Sequence, residues 1–206
     1  MRLDSFRLIT LIFLLIPAQV LGGAIEELQN FVNQSDSGQS TFVQRVYDST
    51  GALVQESSGD LKFSRPGKFK WHYFEPYEQL LVGDGEFLWV YDLDLMQVTR
   101  VSLDRALGSS PAALLYGSED IDSYFGLEAL KPQGNLVRVR VIPYEESGLF
   151  ERIEIGLIAS VVRNMTLYDY FGQKTVIEFG QFSIPSNFND DEFDFEMPEN
   201  ADLVTQ

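Results

Sequence analysis

GDLKFSRPGKFKWHYFEP, residues 59–76, and LLVGDGEFLWVYDLDLMQVT, residues 80–99, decide the fold of this chain. In both stretches a large apolar side chain falls on every second residue. Phe69, Trp71 and Tyr73 alternate with Lys68, Lys70 and His72, and Phe87, Trp89 and Tyr91 repeat the pattern. Successive side chains of a strand point to opposite faces, so a period of two marks strands with one covered face. Arg65-Pro66-Gly67 turns the chain ahead of the first run, and Asp84-Gly85 is the dipeptide of a tight hairpin. The same period continues outward. A strand around Phe42, Arg45 and Tyr47 turns at Ser49-Thr50-Gly51 into a strand at 53–63, and further strands follow at 80–82 and 97–101. Alternation resumes at 136–142, 150–155, 160–168 and 174–182, and the acidic stretch 189–199 ends with an edge strand at 193–196.

Two segments break the period. Ile25, Leu28, Phe31 and Val32 recur at helical spacing with polar residues between them, and Asp36-Ser37-Gly38 ends that short amphipathic helix. Residues 103–117 carry Ala106, Leu107, Ala112, Ala113, Leu114 and Leu115, with Ser110-Pro111 as N-cap and first helical position. They form two short apolar helices, or one broken at Gly108-Ser109. No composition shift or fixed-period repeat divides the chain. The expectation is one mainly β domain, in which about ten consecutive antiparallel strands make a barrel or a strongly curved sheet. The short helices cannot cover all of a concave face that size, but they can plug its mouth.

Composition narrows the function classes. The chain has 206 residues, 15 Lys+Arg against 31 Asp+Glu, and a net charge of −16. Nucleic-acid affinity comes mainly from cations neutralising phosphates, so no nucleic-acid partner is expected. A hydrophobic share of 45% is that of a globular protein. With no cysteine and His72 as the one histidine, disulfides, thiolate metal sites and Cys nucleophiles are excluded. Sixteen Phe, nine Tyr and two Trp make 13% of the chain aromatic, enough to build a core or to line a cavity.

Residues 1–22 read as a cleaved signal peptide. Arg2 and Arg7 precede an apolar run at 8–16, and Gly22, Gly23 and Ala24 supply the small residues of a cleavage site. That run is short of the roughly 20 residues a bilayer span needs. Removing Arg2, Asp4 and Arg7 leaves 13 basic and 30 acidic groups, or −17, on the exported domain 23–206. Without a cysteine after the apolar run, that domain cannot be lipid-anchored, and a Gram-negative periplasm is the expected compartment.

Catalytic constellations are sparse. His72 lies on the strand face opposite the rings and supplies at most one metal ligand. Asp92 and Asp94 share a turn, where paired acids usually meet water, and no spacing fixes them as a glycosidase pair. Asp190-Asp191-Glu192 lacks the glycine and spacing of a calcium loop and reads as a solvated tail. No phosphate-binding loop, dinucleotide fingerprint or zinc spacing is present. A binder without metal or cofactor is expected, not an enzyme. Arg65 stays open at this level. Alternation through Leu61 and Phe63 would put it on an apolar face, where it needs acceptors such as helix C-terminal carbonyls; a position already in the turn would leave it in solvent.

The block RPxxFxWxxxxP at residues 65–76, DGxxLWxYD at 84–92, Gln97-Val98, and Ser110-Pro111-Ala112 closely resembles the periplasmic outer-membrane lipoprotein carrier (LolA) family. The likeness is strong over residues 40–117 and tapers beyond, where strand spacing and Phe193-x-Phe195-x-x-Pro198 correspond. It implies an unclosed antiparallel β-barrel with a lid of short α-helices over a hydrophobic cavity. It also implies a monomeric carrier that takes acylated lipoproteins from an inner-membrane ABC transporter and delivers them to the outer-membrane receptor LolB. The alternative is a carrier of another lipid or hydrophobic ligand on the same scaffold. In the family the Arg of the Arg-Pro motif, Arg65 here, bonds lid-helix backbone and holds the empty cavity closed. The expected cavity residues are Leu61, Phe63, Phe69, Trp71, Tyr73, Leu81, Trp89 and Met96. The expected lid residues are Ile25, Leu28, Leu107, Pro111, Leu114 and Leu115.

Overall fold

A computed structural model describes residues 23–106, 121–144, 150–189 and 191–205. It opens with helix α1 (Gly23–Gln34) and continues through β1 (Ser37–Tyr47), β2 (Leu53–Ser64), β3 (Lys68–Glu75), β4 (Gln79–Asp84), β5 (Phe87–Asp92) and β6 (Gln97–Ser102). Among the described residues two one-turn helices, α2 (Leu103–Ala106) and α3 (Ile121–Tyr124), lie between this first meander and the next. The second meander is β7 (Phe125–Gln133), β8 (Leu136–Pro143), β9 (Phe150–Ile158), β10 (Val161–Asp169) and β11 (Lys174–Phe179), and β12 (Asp202–Thr205) ends the described chain.

All twelve described strands form one sheet in the order β12-β6-β5-β4-β3-β2-β1-β11-β10-β9-β8-β7. The meanders join where β1 pairs with β11, placing Phe42 opposite Phe179 and Gln44 opposite Ile177. The two ends, β12 and β7, do not pair, so the sheet stays open. It is nevertheless wrapped. The 12-residue α1 is about 18 Å long, and it touches β2 through Phe31 and Phe63 and also packs on β7, β8, β9 and β10. β2 and β7 are six strand spacings apart in the sheet order, about 29 Å if the sheet were flat. Only a sheet curled around the helix brings both to it.

Strand alternation sorts residues cleanly between the faces. Opposed residues share a face, so the pairs Leu61 to Trp71, Phe63 to Phe69, Trp71 to Leu81 and Leu81 to Val90 define the inner one. The same rule carries Ile177, Met165, Ile155 and Val139 onto that face from β11 to β8. The outer face is not left bare. Val82 and Val98 are buried there under the C-terminal segment, whose Phe193 is also buried.

Three expectations about elements are corrected. β7 had no counterpart in the pattern reading, because Gly126 and Pro132 act as breaker signals and the pairing shifts between Leu130 and Gln133. No strand forms at 193–196; β12 instead runs parallel to β6, with Asp202 opposite Gln97. The strand from Lys174 stops at Phe179: beyond the Gly180 bond to the Thr41 carbonyl, pairing with β1 resumes only as an isolated bridge of Ser183 to Gln39, one residue out of register, and Phe182 folds inward against Phe31, Phe63 and Phe179. The helical segment expected at 103–117 is described only as far as Ala106, so Leu107, Pro111, Leu114 and Leu115 lie outside the described residues.

Candidate functional site

The concave face is a trough with two unlike walls. On β1–β3 the wall is aromatic: Phe42, Phe63, Phe69 and Trp71 are buried on it, and Tyr73 packs beside them. Phe42 meets Trp71 and Tyr73 edge-on, with centroids 4.9 Å away in both cases. Three of these rings face a glycine across the ladder: Phe63 faces Gly38, Phe42 faces Gly59 and Phe69 faces Gly83. A methyl group on any of the three glycines would run into the facing ring, and at Gly59 also into the His72 carbonyl. The missing side chains let the rings lie across the neighbouring strand. On β8–β11 the wall is aliphatic, with Val139, Val141, Ile153, Ile155, Leu157, Met165, Leu167 and Ile177 buried.

Helix α1 fills the trough. Ala24, Leu28, Phe31 and Val32 make its buried stripe, and Ile25 packs partly buried against the same cluster. Two polar contacts fix the helix from the side: Glu27 Oε2 accepts the Ser160 amide at 2.9 Å, and Gln29 Nε2 donates to Asp122 at 3.0 Å. Its C-terminal end is held by Arg65. The Arg65 Nε–H donates to the Ser35 carbonyl at 3.0 Å, and its backbone N–H donates to the Asp36 carbonyl at 2.7 Å. The guanidinium carbon lies 5.6 Å from the Phe31 centroid and 5.3 Å from that of Phe63, within cation–π range of both. Of the two positions the sequence allowed for Arg65, the structure has the one facing the helix end.

Of the expected cavity residues, Leu61, Phe63, Phe69 and Trp71 are fully buried on the inner face, and Tyr73 and Leu81 are partly buried there. Trp89 and Met96 are corrections. Inner positions on β5 belong to Leu88 and Val90, so Trp89 faces outward, where its ring stacks on Phe195 at 5.0 Å and its indole N–H bonds Asp84 at 2.7 Å. Met96 sits at φ 50° in the β5–β6 turn and is exposed. The tail that covers Trp89 is pinned by Glu192, 2.8 Å from Lys62 Nζ and 3.7 Å from Lys70 Nζ. Glu192 is therefore an anchor and not part of a solvated run. The Lys62 hydrogen bond, partly opposed by burial, keeps its carboxyl below the usual range. His72, also on the outer face, is 2.9 Å from Glu78.

The pattern reading missed the whole aliphatic wall and also a polar extension of the trough. Beyond Tyr73 the inner face turns hydrophilic. Gln44, Gln55, Ser57, Gln79, Asp92 and Asp94 line a cleft of about 390 Å³, with Tyr77 and Leu95 exposed at its rim. Tyr73 joins trough to cleft: its ring stacks near Trp71, and its hydroxyl donates to Gln44 Oε1 at 3.0 Å. Burial pushes the Tyr73 phenol well above its usual range, so it stays a donor. Asp94 is exposed, and the half-buried Asp92 accepts the Leu95 amide. Trp71 is different from Trp89: its buried Nε1–H has no acceptor among the described residues.

Comparison with known proteins places this geometry. The family profile described as "Outer membrane lipoprotein carrier protein LolA" matches residues 33–196. A protein named outer-membrane lipoprotein carrier protein from Nitrosospira multiformis is 40% identical over 207 residues, covering 100% of both chains. One of the same name from Cupriavidus taiwanensis is 42% identical, covering 89% of this chain and 88% of its own. Among solved structures, a putative outer membrane lipoprotein-sorting protein domain from Vibrio parahaemolyticus superposes with a TM-score of 0.52 at 14% identity, covering 84% of this chain and 97% of that one. An uncharacterized conserved protein from Thermus thermophilus gives 0.55 at 13% identity, covering 91% and 100%. At such identities these two structures speak for the shared fold alone.

Proposed function

The chain belongs to the LolA family of outer-membrane lipoprotein carriers, and from that premise we propose how it works. The domain 23–206 acts in the periplasm after loss of residues 1–22. It accepts acylated lipoproteins released by an inner-membrane ABC transporter, holds their acyl chains in the trough and passes them to the receptor LolB. This is carriage without bond chemistry.

The single observation that supports the reading is that α1 occupies the trough with side chains an acyl chain could replace. Exposing a ~16-carbon chain to water costs about 12 kcal/mol. Leu28, Phe31 and Val32, at roughly 1.5–3 kcal/mol each, gain about 5–9 kcal/mol from the same surface. The helix therefore offsets much of the ligand's gain, which keeps the loaded state releasable. A ligand shifts such an equilibrium only through its differential affinity for the open state. Arg65, holding the end of α1, sets how much that opening costs.

Native mass spectrometry of the protein purified from periplasm tests the reading. A complex heavier by a whole triacylated lipoprotein is expected. A gain matching free lipid alone would assign it a different cargo. The Arg65→Leu variant should fold normally and hand lipoprotein to the receptor more slowly than wild type; an unchanged rate removes the gating role.

A further inference from the structure

The trough ends in a cleft of unusual chemistry for a hydrophobic carrier. Its walls offer neutral amide and hydroxyl groups, namely Gln44, Gln55, Ser57 and Gln79, and its only charges among the described residues are the carboxylates of Asp92 and Asp94. No described Lys or Arg lines it. On the trough side of the cleft, stacked near Tyr73 and not itself in the cleft lining, lies Trp71, whose buried indole N–H lacks an acceptor among the described residues. Such a donor is destabilising while it goes unmet. Its neighbour Tyr73 carries the other donor at this step, the hydroxyl bonded to Gln44.

We propose that this step is a headgroup-linkage site: it binds the neutral, carbonyl-rich part of an acylated ligand, the glyceryl esters and the N-terminal amide, and it selects against anionic phospholipids. The inference rests on the acyl-carrier reading above and names what that reading leaves open, how a carrier surrounded by phospholipid avoids filling with it. Ester carbonyls only accept hydrogen bonds, which is what the Trp71 N–H requires. Neutral side-chain amides then serve the amide and hydroxyl groups of the linkage. A phosphodiester would enter the same cleft against two carboxylates with no Lys or Arg among its described lining to pair with, a like-charge placement that suppresses the wrong partner.

The test measures binding by the wild-type domain of three probes: a synthetic triacylated lipopeptide, its dialkyl-ether analogue lacking the glyceryl carbonyls, and phosphatidylglycerol. The ester form is expected to bind about five- to tenfold more tightly than the ether, and both more tightly than phosphatidylglycerol. Trp71→Phe should erase the ester preference, and Asp92→Asn with Asp94→Asn should raise phosphatidylglycerol affinity severalfold. Equal binding of ester and ether by wild type would overturn the linkage site without any variant having to fold. Phosphatidylglycerol binding as tight as the lipopeptide's, and unmoved by the double substitution, would overturn the selectivity. Failure of wild type to bind any triacylated lipopeptide would instead overturn the carrier reading itself.

Discussion

The two meanders line the trough in different ways. The first lines its half of the trough with rings laid across facing glycines, Phe63 over Gly38, Phe42 over Gly59 and Phe69 over Gly83. The second lines its half with Val, Ile, Leu and Met on β8 to β11. A ring locked against backbone has nowhere to move, whereas aliphatic side chains change rotamer at small cost. The helix that fills the trough packs on β7 to β10, and its Phe31, near the C-terminal end, meets Phe63 of the aromatic wall. In the mechanism proposed above, the rigid wall would keep the curvature while the conformable wall receives what replaces the helix.

Single substitutions can break that contrast. The largest effect belongs to the helix. Leu28→Ala removes a fully buried side chain, a change worth about 2–5 kcal/mol in an ordinary core. Here the loss falls on the closed state, so lipopeptide affinity should rise, by up to about a hundredfold if roughly 3 kcal/mol is transferred. Isothermal titration reads it; an affinity drop would mean that Leu28 holds cargo instead of competing with it. Next comes one methyl group in each wall. Gly59→Ala drives a Cβ into the His72 carbonyl and the Phe42 ring and should cost about 3 kcal/mol, or roughly 6–12 °C in Tm. Ile155→Val, in the aliphatic wall, should cost about 1 kcal/mol. Comparable losses from the two would abolish the distinction between rigid and conformable walls.

The smallest effect is on the outer face. Glu192→Gln removes the carboxylate pairs to Lys62 and Lys70, leaving the Lys70 bond to the residue 192 carbonyl, and should cost less than about 1 kcal/mol, with the loss fading at high salt. The Glu192 carboxyl is held below its usual range, mainly by Lys62. Its contribution is therefore present above pH 4.5, the ordinary value, and is lost as pH falls through the lower folded value. Wild type and variant should converge in thermal stability under acid; a gap that persists there would put the tail's attachment elsewhere.

What the sequence made legible follows the same division. Rings at alternate positions announced β2 to β5 and the buried set Leu61, Phe63, Phe69 and Trp71. The misreading of Trp89 arose because both faces of β5 are apolar: Leu88 and Val90 face the trough, while Trp89 and Tyr91 serve the tail through Phe195. Alternation says that two faces exist, not which is inside. The tail's Phe193-x-Phe195 was the available sign of a second covered face. The cleft left no pattern. Gln44, Gln55 and Ser57 look like solvent positions on their strands, and only the curl of the sheet turns them inward. Arg65 was undecided for the same reason, since the carbonyl it meets belongs to Ser35, thirty residues away.

The central claim is that α1 and an acyl chain compete for one surface. The chain has no cysteine, so a thiol pair can be placed uniquely at Glu27→Cys on α1 and Ser160→Cys in the β9–β10 turn, positions already joined by a 2.9 Å hydrogen bond. With a short bis-maleimide joining them, the protein should lose uptake of a triacylated lipopeptide, while the same variant with each thiol singly blocked should load like wild type. Full loading with the helix cross-linked in the trough would contradict the account.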